Sequence, residues 1–561
     1  MKKKDGLRFG IVLVAVSLLY LALLGKLFYW QSVEAQTLRL QARAQSLETI
    51  DIPAIRGEIM TSDSFPLATN TISYTLYSNP KIIKDKSYYA DKLGGALSDD
   101  PASISALLNK DLYWVKLADN LSGDQKKTIE KLNLKGVGFE QQYSRLYPEA
   151  SMAAHLIGFL GKDAEGEPHG YFGIEGKYND QLSGRPGALH AIRDALGNQI
   201  LNDIREDEKI DGRDVKLTVD RSVQYLIDEK LKAGLEKYGA EEGSVIVMDS
   251  KTGAILGMSS YPGFDPAKYW EYDPSTYTNP ALSSLYEPGS TFKVLIMAAA
   301  IDKHLVTPET RCDICAGPVQ IGEYKIKTWN DEYIPDLTMR DTIIHSDNTG
   351  MVFVSRKLGL DNMIDYLHKF GLGEPTGIDL QGEATGIVRE KNQWYPIDIA
   401  TTSFGQGISV TPIQLITAVN SIANDGKLMQ PYMVSQIITD TGQTIDIKPK
   451  VKAQAVSPAT AKTVTSMMVD AVEEGEAKFA KIKNYRIAGK TGTAQIPVAG
   501  HYDPTQTNAS FVGFFPADNP KVTMLVIVNK PKSSIYGAET AAPLFFDIAR
   551  ELIKYYNLPS N

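Results

Sequence analysis

Histidine and cysteine are scarce: the 561 residues contain seven and two of them. There is no His-Glu-x-x-His pattern and no paired Cys/His cluster, which excludes the familiar zinc sites from the expectations. An excess of basic residues is also lacking. The formal net charge is −8, and a nucleic-acid partner would call for a basic patch or stripe. No internal repeat or low-complexity tract stands out, and there is one long apolar run. At ~150 residues per domain, this length implies about two to four domains.

The apolar run extends from Phe9 to Gly25 and continues past Lys26 through Leu27, Phe28, Tyr29 and Trp30. It reaches the ~20 residues that cross a bilayer. Lys26 can snorkel, and Tyr29 and Trp30 suit the interfacial belt. Lys2, Lys3, Lys4 and Arg8 precede the run. This predicts a cytoplasmic N-terminus, with everything after Trp30 on the outside. A cleaved signal peptide is the alternative, but Trp30-Gln31-Ser32-Val33-Glu34 offers no small-x-small cleavage site.

Beyond it, Ser32 to about Leu47 reads as a polar helical stalk, and Ile72 to Leu76 as a strand. From Lys84 to about Lys131 the pattern is helical and polar. Ala188 to Val219 reads as alternating strands with polar turns. Composition shifts near Asp220. Arg221 to Gly239 has Val223, Leu226, Ile227, Leu231 and Leu235 at helical spacing. Ser244–Met248 and Ala254–Met258 form a hairpin pattern. Ser510–Phe515 and Val522–Val528 are strand-like, and a last helix covers roughly Ala542 to Tyr556. Strands first, helices between and strands last predict an α+β domain with a mainly antiparallel sheet flanked by helices. The expected domains are a tail at 1–8, an anchor at 9–30, a stalk and pedestal at 31–219, and a catalytic domain at 220–561.

Three short stretches carry chemistry. In Glu287-Pro288-Gly289-Ser290-Thr291-Phe292-Lys293, Pro288 and Gly289 open an apolar helix. Ser290 and Lys293 then share a face one turn apart. A serine hydroxyl needs an adjacent base to act as a nucleophile. A lysine can be that base when burial or a second cation favours its neutral form. A solvated lysine on a capped helix is the plainer reading of that spacing alone. Ser346-Asp347-Asn348 falls in a tight connection between two helical stretches, where helix capping is the plainer reading. Lys490-Thr491-Gly492-Thr493 follows strand-like text, and Gly492 lets another backbone come close. Lys251-Thr252-Gly253 is a second Lys-Thr-Gly, but it sits at a hairpin tip and reads as turn chemistry. Each stretch is weak alone. In the order Ser-x-x-Lys, Ser-x-Asn, Lys-Thr-Gly they are specific.

With that trio the chain resembles the class B penicillin-binding proteins, nearly end to end. Arg56-Gly57, Tyr147-Pro148, His155-Leu156-Ile157-Gly158 and Gly173-Ile174-Glu175 carry the resemblance in the pedestal. Leu217-Thr218-Val219-Asp220, Gly377-Ile378-Asp379-Leu380 and Gly405-Gln406-Gly407 extend it. The segment Thr61-Ser62-Asp63-Ser64-Phe65 departs from the family's usual Asp-Arg-x-Gly turn.

The resemblance implies a penicillin-binding, serine β-lactamase-like transpeptidase domain on an elongated pedestal with one membrane helix. It implies D,D-transpeptidation of peptidoglycan stem peptides, acylation by β-lactams, and no metal or cofactor. Ser290 would attack, Lys293 take its proton, Ser346 relay a proton, and Asn348 hold the substrate amide. Lys490 would supply positive potential, and Thr491 and Thr493 would bind the substrate carboxylate, with Asp347 and Gly492 beside them. It also implies a multi-spanning glycan polymerase and other cell-wall synthesis proteins as partners, and a role in division rather than elongation. A β-lactamase or β-lactam sensor on the same fold, an inactive scaffold and a bifunctional glycosyltransferase are the competing readings. Cys312 and Cys315 are read as a local disulfide, with two free thiols the alternative. Trp329 and Tyr333 either rim a cleft or, as expected here, pack in a core.

Overall fold

A computed structural model describes residues 2–38, 47–149, 151–193, 199–498 and 501–560. The chain divides into two compact units, residues 1–55 with 184–211, and residues 56–183 with 212–561.

In the first unit, the helix Lys2–Phe28 passes into a wider turn at Tyr29–Val33. The stretch Gly6–Val33 is apolar and, at 28 residues, long enough to cross a membrane, with its side chains uncovered by protein. The Lys26 ammonium lies 5.4 Å from the centre of the Trp30 ring. Leu47–Ile52, Gly187–Arg193 and Gln199–Asp207 form an antiparallel three-stranded sheet. Of the stalk helix expected from Ser32 to about Leu47, residues 39–46 lie outside the described residues.

The second unit is organised around a five-stranded antiparallel sheet. Its order is Ile255–Tyr261, Glu242–Asp249, Val522–Asn529, His501–Phe515 and, at one edge, Ala488–Val498. Period-two alternation gives the sheet two buried faces. Val245, Val247, Phe511, Phe515, Met524 and Val526 pack under the helices Arg221–Tyr238 and Ala541–Tyr555. Ile246, Met248, Val512, Phe514, Leu525 and Ile527 face the larger core around the helix Lys293–Asp302. The helix read from Arg221 is fixed at both ends. The Asp220 side chain accepts from the Ser222 and Val223 amides, and Gly239 closes it at φ +65°.

The strand Pro66–Ser78 pairs with Val137–Leu146 and Val115–Leu121. The strand Val115–Leu121 interrupts a region whose sequence reads as helical throughout. Its Lys116, Asp119 and Asn120 supply polar text, while Val115, Leu117 and Leu121 are buried against Leu76, Leu93 and Ile104. Asp214–Leu217 runs parallel to Ile59–Met60 and antiparallel to Val434–Ile438. One sheet therefore joins segments of this unit that lie far apart in the chain.

Motifs that carry the resemblance outside the three chemical stretches hold these segments together. Glu175, fully buried, accepts from Arg56 Nε and Arg145 Nε, each at 2.7 Å. Arg145 also donates to the Gly57 carbonyl at 2.8 Å. Asp379 accepts from the Met433 and Val434 amides at 2.6 and 2.8 Å and from the Tyr178 hydroxyl at 3.3 Å. Burial pushes its carboxyl above the usual range.

Candidate active site

The nucleophile candidate is placed by backbone packing. Gly289 takes φ +58° and its amide donates to the Gly405 carbonyl at 3.0 Å. A Cβ on Gly405 would stand 2.1 Å from the Gly289 oxygen, so only glycine allows this approach. The tight turn Gly289–Phe292 carries Ser290 and leads straight into the helix Lys293–Asp302, whose residues from Lys293 to Ile301 are buried. Beside the turn, Glu287 accepts from the Gly407 amide at 3.0 Å and from the Tyr502 hydroxyl at 3.1 Å.

Lys293 has no solvent exposure. Its ammonium donates to the Ser346 carbonyl at 2.5 Å, the Asn348 Oδ1 at 2.8 Å and the Ser346 Oγ at 3.3 Å. These bonds tie the serine helix to the connection between the helices Met339–Ile344 and Asn348–Lys369. Ser346 adopts φ +55°, an uncommon conformation for a residue with a Cβ, and it turns the connection toward the lysine. The Asn348 amide nitrogen donates to the Lys327 carbonyl at 3.0 Å, which fixes Oδ1 toward Lys293.

The third stretch lies on the edge strand Ala488–Val498, which packs against the Ser290 turn. A Cβ on Gly492 would come within 2.8 Å of Thr291 Cγ2 and 2.4 Å of Ser510 Oγ. Lys490, 3% exposed, donates to Thr491 Oγ1 at 3.0 Å, and Thr491 Oγ1 donates to Glu476 Oε2 at 3.0 Å. Thr493 Oγ1 accepts from the Gly537 amide at 3.0 Å. Burial, and after it the Lys490 charge, depress Lys293 to about 7, against the opposing influence of Asp347 and Glu476. Burial also lowers Lys490, and Glu476 opposes that shift.

A cavity of about 800 Å³ opens where the three stretches meet. Ser290, Ser346, Asn348, Thr491 and Thr493 line it, and Lys293 and Lys490 are buried beside these lining residues. Asp347 has another task. Its carboxylate accepts from the Gly350 amide at 2.8 Å and from the Thr349 hydroxyl at 2.6 Å, capping the helix that begins at Asn348. It is buried and is not among the residues lining the cavity. Gly492 contributes through its missing side chain.

Lys251 is confirmed in a turn. Asp249 accepts from the Lys251 and Thr252 amides at 3.0 and 2.7 Å, and Gly253 takes φ +78°. Trp329 differs from the core packing expected of it. It is about half exposed, lines the cavity, and meets Tyr536 edge-on at 5.9 Å. Tyr333 is not among the lining residues. Cys312 and Cys315 are disulfide-bonded and buried. Among the described residues no group of three or more His, Cys, Asp or Glu side chains gathers as a metal site. Nothing in the sequence marks Glu476, Phe479 or Tyr536 as cavity residues; they come from loops without periodicity.

A serine beside a buried lysine of lowered basicity, with a second lysine and paired threonines at a sheet edge, defines a serine acyl-transfer site. Residues 243–551 match the family described as "Penicillin binding protein transpeptidase domain", and residues 51–217 match "Penicillin-binding Protein dimerisation domain". The chain belongs to the penicillin-binding protein transpeptidase family. It is 34% identical over 552 residues to Stage V sporulation protein D of Bacillus subtilis, covering 97% of this chain and 85% of that protein. To the probable peptidoglycan D,D-transpeptidase PenA of Neisseria gonorrhoeae it is 29% identical, covering 96% and 91%. Among solved structures, a peptidoglycan synthetase from Bifidobacterium adolescentis superposes with a TM-score of 0.74 at 26% identity, covering 92% of this chain and 98% of the other. Penicillin-binding protein 3 of Mycobacterium tuberculosis, complexed with aztreonam, gives 0.72 at 26%, covering 91% and 98%.

Proposed function

We propose that this protein cross-links peptidoglycan by serine D,D-transpeptidation and that β-lactams acylate it at Ser290. The supporting observation is the complete burial of Lys293 among the Ser290 helix, the 346–348 connection and the Lys490 strand, which leaves its amine available as a base near neutral pH. Lys293 takes the Ser290 proton as Oγ attacks the penultimate D-alanine carbonyl of a stem peptide. Ser346 relays a proton to the departing amine of the terminal D-alanine. Asn348 holds the substrate amide, and Thr491 and Thr493 bind its carboxylate beside Lys490. The Ser290 and Thr493 amides form the oxyanion hole, each donor being worth ~3–4 kcal/mol. An amine from a second stem peptide then attacks the ester carbonyl, forms the cross-link and returns the proton to Ser290.

In this reading residues 1–8 are cytoplasmic, 9–30 span the plasma membrane, 31–219 form the stalk and pedestal, and 220–561 catalyse outside the cell membrane. The positive charges before the helix support that orientation. A multi-spanning glycan polymerase supplies the strands, docking on the anchor and pedestal, and the protein serves division.

Incubating the detergent-solubilised full-length chain with a fluorescent penicillin tests the reaction. A long-lived adduct that disappears in Ser290→Ala, with the fold intact, is the expected result. Rapid turnover of the antibiotic would instead make the protein a β-lactamase, and equal labelling of the variant would remove Ser290 from its role.

A further inference from the structure

Thr491 has one hydroxyl proton, and that proton is committed. It goes to Glu476 Oε2 at 3.0 Å, while the oxygen accepts from Lys490 at 3.0 Å. Glu476 lines the cavity and is held there by its neighbours. It follows the helix Pro458–Glu473, after Gly475. A Cβ on Gly475 would stand 2.3 Å from the Ala471 carbonyl and 2.8 Å from the Ile344 carbonyl, so this backbone is pressed against two helices. Ala477, on the other side, is 1% exposed in the core behind the sheet. The carboxylate of Glu476 is therefore delivered to Thr491 by a constrained loop.

We propose that Glu476 is a specificity-determining residue that competes with the substrate carboxylate for Thr491. The inference rests on the assignment of Thr491 to the carboxylate subsite. An acyl donor placing its own carboxylate on Thr491 and Thr493 must displace the Glu476 carboxylate from the hydroxyl or lie beside it as a like charge. Either route raises the cost of binding for an anionic donor and leaves a neutral one unaffected. Asp347 is the other carboxylate that acts on Lys293, and it is engaged by Gly350 and Thr349, so it cannot take this part. The Glu474 and Lys478 side chains at the same rim are exposed.

The test is stopped-flow acylation of the full-length protein by benzylpenicillin and by its methyl ester, resolving the binding constant from the acylation rate. Glu476→Gln keeps the shape and removes the charge. It is expected to tighten binding of the acid by roughly five- to tenfold, as befits a partly screened like charge, and to leave the ester unchanged. Glu476→Asp retains the charge and is expected to keep the wild-type ratio of acid to ester. An unaltered ratio in Glu476→Gln, or a loss of acylation with both probes, overturns the proposal. Thr491→Val separates the two claims. If it leaves the wild-type ratio of acid to ester unchanged, Thr491 is not the carboxylate subsite, whatever Glu476 does.

Discussion

The Lys293 ammonium and the Ser346 carbonyl oxygen stand 2.5 Å apart, with no water-accessible surface on the lysine. The bond joins two stretches separated by 53 residues. Its effect is to aim the amine at the point where the serine helix and the connection converge, and to keep it dry. A dry cation is costly, so the amine loses its proton more readily than a solvated lysine does.

The pH dependence of acylation follows. In the proposed role Lys293 must be neutral to accept the Ser290 proton, and its depression to about 7 places the change within the working range. Acidification protonates the base and slows acylation. The second-order rate with a fluorescent penicillin is expected to fall by about tenfold per pH unit well below the midpoint and to flatten above it. A rate independent of pH between 6 and 9 would show that another group takes the proton.

Lys490 contributes to that midpoint as a like charge, second to burial. Lys490→Met removes the repulsion and leaves the burial. The midpoint of the same profile is expected to move to higher pH, while remaining below that of a solvated lysine. The plateau is expected to fall as well if, as proposed, the cation also serves the carboxylate site. Midpoint and plateau are separate readings of one experiment. A lower plateau with an unmoved midpoint would confine Lys490 to binding.

Much of this was legible in the residues, and the reasons differ from element to element. The helix from Arg221 shows through its 3.6-residue spacing, and the strand at Val522 through an apolar run broken only by Thr523 and preceded by Asn519-Pro520. The Ser290, Ser346 and Lys490 stretches are recognisable because backbone demands accompany the side chains: a Pro-Gly start, a connection between helices, a glycine in a strand. The capping bonds of Asp347 were legible only as one of two readings, because a capping aspartate and a substrate-binding one look alike in sequence. Glu476 left no trace, because its contact with Thr491 depends on where Gly475 meets Ala471 and Ile344. Contacts of that sort have no period to detect.

Gly492 offers a direct test of the packing between the edge strand and the nucleophile turn. An added methyl would lie 2.4 Å from Ser510 Oγ, 2.8 Å from Thr291 Cγ2 and 3.2 Å from the Pro288 carbonyl. Gly492→Ala is expected to push the strand from the turn, costing ~1–3 kcal/mol as overpacking does. Because Thr493 and Ser290 lie on the two displaced segments, acylation is expected to fall far more than the folded fraction. Measuring both by penicillin labelling and by thermal unfolding separates the effects. A variant that unfolds earlier yet acylates normally would show that the proposed oxyanion site tolerates the displacement.

The residues matched to the dimerisation domain hold a charge cluster that does not line the cavity. Glu175 is fully buried between Arg56 and Arg145, whose side chains are 8% and 3% exposed. Burying three charges gives little net stability, but removing the central one strands two guanidinium groups. Glu175→Gln is therefore expected to destabilise the fold by ~3–5 kcal/mol, the range for breaking a buried pair. Thermal unfolding of the full-length protein would record this as a fall in Tm of roughly 5–15 °C. Glu175 does not line the cavity. Protein that remains folded at low temperature is accordingly expected to acylate at the wild-type rate. An unchanged Tm would mean that the two arginines find other partners once the carboxylate is gone. A slowed acylation in folded protein would instead mean that the pedestal acts on the catalytic cleft.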